Sequence, residues 1–120
     1  MSPITVYGIP NCDQVRGARA WLRARHIDHR FHDLRSDGLD AGRLADWLAQ
    51  TSWEVLLNRR GQAWRKLDPA RRALAVDADG ATGLLLADPT LVKRPVLEHP
   101  GGLTVGFSEA TYEDLFGARP

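Results

Sequence analysis

The chain has one cysteine, Cys12, in 120 residues. A lone cysteine excludes an intramolecular disulfide, and with it the disulfide-stapled secreted scaffold; it fits a reducing, cytoplasmic setting. Excess charge is missing too. The formal net charge is +1 at pH 7, which gives no bulk electrostatic reason to expect nucleic acid. No apolar run approaches the ~20 residues that span a bilayer, so no membrane association is expected. The N-terminus enters a strand pattern at Ile4 without a basic segment or a long apolar one, and no signal peptide is expected. The histidines (His26, His29, His32, His99) show no metal-ligand spacing with a cysteine or carboxylate, so no metal is expected. There are no repeats, low-complexity segments or clear linkers. What is present is ordinary for a globular chain, 43% hydrophobic and 26% charged. That supports a single domain, 1–120, with a core.

The stretch that carries chemistry is Ile4-Thr-Val-Tyr-Gly-Ile-Pro-Asn-Cys12-Asp-Gln-Val-Arg16. It reads as a short strand, a turn at Pro10 and Asn11, and a helix opening at the cysteine. The first N–H groups of a helix have no intrahelical partner and carry partial positive charge. Sulfur placed there is favoured as thiolate, the nucleophilic form. Arg16, four residues on, falls on the same face and adds a full charge. The bland alternative is that a lone cysteine packs as a small hydrophobe. Strand, turn, helix start and arginine together favour the reactive reading.

Along the chain, residues 4–8 read as the first strand. From Asp13 to about Arg25, Val15, Ala18, Trp21 and Leu22 recur at helical spacing and predict a buried face, with Arg16, Arg19 and Arg23 on another. Ile27 to Leu34 reads as a second strand. A strand, helix and strand at this spacing predict a βαβ unit with parallel strands. From Leu39 to about Asp88 the signals are helical. Asp40, Ser52 and Asp68-Pro69 look like helix starts. Asn58 to Gly61 reads as a break, Gly80 and Gly83 weaken the next segment, and only Leu84 to Leu86 predicts a last short helix. The four tryptophans are expected in the core. After Pro95 strands return: Val96 to Glu98 and Leu103 to Phe107, joined by a turn over residues 99–102. Ser108 caps a final helix with Tyr112, Leu115 and Phe116 facing inward, ended by Gly117. The order β-α-β, helical insert, β-β-α is that of an α/β thioredoxin-like core, residues 1–38 and 90–120, with a helical insertion over about 39–89.

Several separated motifs then resemble the arsenate reductase family. They are Gly8-Ile-Pro-Asn-Cys12-Asp, Phe31-His-Asp-Leu-Arg35-Ser-Asp-Gly38, Leu57-Asn-Arg-Arg60-Gly with Trp64-Arg-Lys, Val92-Lys-Arg94-Pro95-Val, and Val105-Gly-Phe. The chain looks most like the small arsenate-reductase-like branch described as glutathione-dependent thiol reductases, with the Spx-type transcription regulators a further branch. The resemblance covers nearly the whole chain. It implies a thioredoxin-like core with a helical insertion, Cys12 as catalytic nucleophile, and a cis peptide before Pro95. It also implies anion or glutathione binding by Arg16, Arg60, Arg94, Pro95 and Asn11. Two departures stand out. The regulators carry Cys-x-x-Cys, whereas Val15 stands three residues after Cys12. The arsenate-reducing members carry a further arginine before the Val-Gly-Phe strand, whereas Pro100-Gly101-Gly102-Leu103 has none.

The activity expected is therefore thiol–disulfide exchange. With one cysteine, the mixed disulfide on Cys12 must be resolved from outside, by glutathione or a glutaredoxin. Glutathione enters as co-substrate, with no tightly bound cofactor, and a monomer is expected. The alternatives are an arsenate reductase proper, or a non-enzymatic Spx-like module that binds a protein partner such as RNA polymerase. The arginines at 59, 60, 65, 71 and 72 read as a solvated face and not as a nucleic-acid site.

Overall fold

The computed structural model describes residues 3–117. The chain divides into two compact units, Met1–Asp33 with Arg94–Pro120, and Leu34–Lys93.

The first unit is a four-stranded sheet with helices. Strand β1 (Thr5–Gly8) leads to α1 (Asp13–Ala24) and then β2 (Arg30–Asp33). Strands β3 (Val96–His99) and β4 (Gly102–Val105) form a hairpin. The strand order is β2-β1-β3-β4. As the βαβ spacing predicts, β1 and β2 are parallel, with Val6 level with Phe31. Strand β3 runs antiparallel to both β1 and β4. The structured part of β2 is shorter than the sequence pattern predicts. Ile27 closes the α1 cap instead of opening the strand, through its N–H to the Leu22 carbonyl (2.9 Å).

The apolar face of α1 is buried as its spacing predicts: Val15, Ala18, Trp21 and Leu22. Ala18, Trp21 and Leu22 pack with Ile4, Val6, Leu97 and Tyr112, and Phe107 and Phe116 close over them. Trp21 and Phe107 both meet Tyr112 edge-on, at 5.6 and 4.8 Å between ring centroids, the geometry that ring quadrupoles favour. The last helix, α7 (Glu109–Tyr112), is capped by Ser108 as expected and widens into a π-turn over Glu113–Gly117.

The second unit is helical. Helices α2 (Ala41–Leu48), α3 (Trp53–Leu56), α4 (Gln62–Arg65), α5 (Pro69–Arg72) and α6 (Ala78–Ala87) are followed by a 3-10 turn over Pro89–Leu91. Asp40, Ser52 and Asp68 cap three of these starts through their side-chain oxygens. Each such cap is worth about 1 kcal/mol. The predicted break after Asn58 is real but short, since α4 restarts at Gln62. Helix α6 runs straight through Gly80 and Gly83, where the sequence pattern predicts only a short helix at Leu84 to Leu86. The cap found at Asp77, whose carboxylate accepts the Gly80 N–H at 2.8 Å, starts it earlier. The tryptophans divide: Trp21 and Trp47 are core, while Trp53 and Trp64 are only half-buried.

Candidate functional site

Cys12 stands where β1 ends and α1 begins. The chain leaves Gly8, turns through Pro10 and Asn11, and the Cys12 N–H bonds the Ile9 carbonyl (3.3 Å). Cys12 is the N-cap of α1, with extended backbone (φ −98°, ψ 128°), and no side chain caps the first turn by hydrogen bond. Its carbonyl accepts the Arg16 N–H at 2.9 Å. The thiol is free and half-buried. The sulfur is thus at the positive end of a twelve-residue helix whose first-turn donors no side chain has taken.

Gly8 allows this approach. A Cβ there would collide with Val15, on the first turn of α1. Gln14, which no sequence signal marked, ties the same turn to the far end of β4 by accepting the Phe107 N–H at 3.3 Å. The β1–β3 register sets Tyr7 level with Val96, and its continuation brings Pro95 level with Gly8. The Arg94–Pro95 peptide is cis. Pro95 is buried, and its carbonyl accepts the Gly106 N–H at 2.8 Å. The Pro95 segment therefore borders the turn that carries the cysteine, with Arg94 half-buried beside it.

Arg16 is occupied. Its guanidinium pairs with Asp13, one turn back, and both side chains are exposed. An exposed pair of this kind is weak, so an incoming anion can compete for the arginine. Asp13 is the first residue of α1, and its carboxylate is taken up in this pair. Asn11 is exposed in the turn. Arg60 belongs to the second unit, where its backbone N–H bonds Asn58 Oδ1 (3.0 Å). Cys12, Asn11, Arg16, Arg94 and Pro95 all belong to the first unit. Among the described residues, no group of three or more His, Cys, Asp or Glu could hold a metal ion, and no helix is long and apolar enough to cross a membrane.

A mixed sheet in this order, a cysteine at the first helix's N-cap and a cis-proline level with Gly8 on the neighbouring strand define an α/β thioredoxin-like fold with one thiol where its first strand passes into its first helix. The chain belongs to the ArsC family, whose model matches residues 7–115. It is 42% identical over 113 residues to an uncharacterized protein from Haemophilus influenzae, covering 94% of this chain and 98% of that one. A solved arsenate reductase (ArsC) related protein from Brucella melitensis is 51% identical, with a TM-score of 0.74 over 97% of this chain and 95% of that one. The global transcriptional regulator Spx of Streptococcus pyogenes is 28% identical over 108 residues, covering 88% of this chain and 79% of its own. The relatives thus include both an arsenate reductase related protein and a transcriptional regulator.

Proposed function

We propose that the protein is a thiol–disulfide oxidoreductase that uses Cys12 as its only nucleophile and glutathione as co-substrate. The observation that carries this reading is the place of the sulfur: half-exposed, at an uncapped helix N-terminus, on the turn that follows the Gly8 end of β1. In the first step the Cys12 thiolate attacks one sulfur of an oxidised substrate. A Cys12–substrate disulfide forms, and the other sulfur leaves as a thiolate that takes a proton from water. In the second step the glutathione thiolate attacks the bound substrate's sulfur. Cys12 departs as thiolate, and the substrate leaves as a mixed disulfide with glutathione. These two steps are an exchange, one glutathione thiol taken up for one substrate thiol released. A second glutathione attacks the mixed disulfide, leaves as glutathione disulfide and frees the remaining substrate thiol, so that two glutathione thiols supply the two electrons. No second cysteine exists to resolve the intermediate internally, so the outside thiol, glutathione or a glutaredoxin, is required. Arg94 and Arg16 suit the carboxylates of glutathione, because a planar guanidinium matches a carboxylate in two hydrogen bonds. For Arg60, which belongs to the second unit, the same role rests on the family resemblance alone. Asn11 and the backbone at Pro95 would meet the peptide part of the ligand.

Arsenate is the weaker substrate on this reading. The β3–β4 turn, Pro100 and Gly101 with Gly102 and Leu103 beyond it, carries no cation. A second reading, a protein-binding regulator, is favoured by the relationship to Spx. Replacement of Cys12 by serine separates the two. The oxidoreductase loses all turnover of a glutathione-linked disulfide substrate, whereas a binding module keeps its partner and never had turnover to lose.

A further inference from the structure

The arginine row on α1 reaches well past the thiol. Arg19 and Arg23 stand one turn apart on that helix, and His26, Asp28 and His29 follow in the connection to β2. With Ile27 they line an open cleft of about 610 Å³. From the helical rise, Arg19 and Arg23 lie roughly 10 and 16 Å along α1 from Cys12, so this cleft is separate from the thiol site.

Like charges one turn apart repel. Among the described residues neither of these guanidinium groups meets a carboxylate within ion-pair distance. Arg19 is also held in place. Its guanidinium carbon lies 4.2 Å from the Phe31 ring centroid, and its Nε is buried without a hydrogen-bond partner. Burial, and then the Arg23 charge, lower its pKa from the ordinary arginine value. The rim is strained as well. His26 has φ 56°, the left-handed region. It occupies the glycine position of a helix-ending motif in which the His26 N–H bonds the Arg23 carbonyl (3.0 Å) and the Ile27 N–H bonds the Leu22 carbonyl. His29 is fixed by Nδ1, which donates to the Ile27 carbonyl (3.1 Å).

We propose that this cleft binds a phosphate-bearing anion, with Arg19 and Arg23 as its two forked donors and His26 and His29 at its rim. A phosphate between the guanidinium groups relieves their repulsion. Its oxygens match guanidinium geometry in paired hydrogen bonds. Asp28 on the rim and the negative end of α1 both oppose a diffuse attraction for anions. Binding there therefore depends on the two arginines themselves.

The phosphate can belong to a soluble compound or to a lipid headgroup, and the experiment separates them. The intact protein is titrated calorimetrically with tripolyphosphate, and is sedimented with phosphatidylglycerol vesicles against phosphatidylcholine ones. The variants are Arg19→Gln with Arg23→Gln, and Arg71→Gln, which removes one charge from the second unit. Tripolyphosphate is expected to bind the wild type and the Arg71 variant alike, and the double variant at least about tenfold more weakly. Capture by phosphatidylglycerol vesicles that the double variant loses assigns the phosphate to a lipid; binding in solution alone assigns it to a soluble ligand. No binding in either arm overturns the proposal, as does binding that the double variant keeps. A loss equal to that of the Arg71 variant also overturns it, since that is non-specific charge. If near-UV circular dichroism shows that Arg19→Gln disturbs the fold, the exposed Arg23→Gln alone carries the test, with the same expected loss of about tenfold.

Discussion

The chemistry proposed for Cys12 rests on its position, and two residues elsewhere show how far surroundings reset a side chain. The Tyr112 hydroxyl is buried and, among the described residues, makes no hydrogen bond; burial pushes its pKa well above the ordinary phenol value. A desolvated hydroxyl without a partner costs ~1–3 kcal/mol. Tyr112→Phe keeps the edge-on contacts with Trp21 and Phe107 and removes that cost. It is expected to raise stability by about 1 kcal/mol in urea unfolding; a loss of that size would mean the hydroxyl is bonded after all. His99 is the second case. The Gly101 N–H donates to its Nδ1 (3.2 Å), so Nε2 carries the proton and donates to Thr104 Oγ1 (2.9 Å). Burial lowers its pKa from the ordinary histidine value of 6.5, and a proton on Nδ1 would displace the Gly101 contact. As pH falls, the unfolded imidazole protonates first, so the unfolded state gains protons the folded state refuses. The stability linked to His99 is thus complete above pH 6.5 and is lost as pH drops through that value toward the folded-state pKa. Unfolding midpoints measured from pH 7.5 to 5 should show this decline, and His99→Gln should flatten it.

At the scale of elements, caps were easy to read and glycines were not. Asp40, Ser52, Asp68 and Ser108 announce their helices because a short oxygen-bearing side chain before an apolar run has one common use. Helix α6 is longer than its sequence pattern predicts, a pattern weakened by two glycines that lower helix propensity. Its packing reverses the meaning of one of them. A Cβ on Gly80 would run into the Leu74 carbonyl oxygen, whereas Gly83 faces nothing within 4 Å. Gly83→Ala is expected to stabilise by about 0.5–1 kcal/mol through helix propensity. Gly80→Ala, three residues away in the same helix, is expected to destabilise by about 1–3 kcal/mol through overpacking. Equal effects at both sites, by thermal melting, would contradict the packing account. Helix α1 shows the same blindness. Its buried face is legible from periodicity, yet Gln14, which fixes its first turn to Phe107, looks like any exposed polar residue.

For the whole molecule, the order of strands and helices, the parallel β1–β2 pair and the place of Cys12 were legible, because each rests on local pattern. The sheet order β2-β1-β3-β4 and the level of Pro95 beside Gly8 follow only once β3 pairs with β1 across some ninety residues of sequence. The Asp13 pairing that occupies Arg16 was hidden for a different reason. Spacing puts charges on a face but does not say which neighbour a flexible arginine takes. The account's central claim is that Cys12 is a working nucleophile resolved by an outside thiol. Its most direct test is to incubate the protein with glutathione disulfide and read the intact mass, then add excess glutathione and read it again. The account predicts one glutathione per chain, absent in Cys12→Ser, and its removal by the added thiol. No adduct on the native protein, with ready modification only after unfolding in urea, would contradict it.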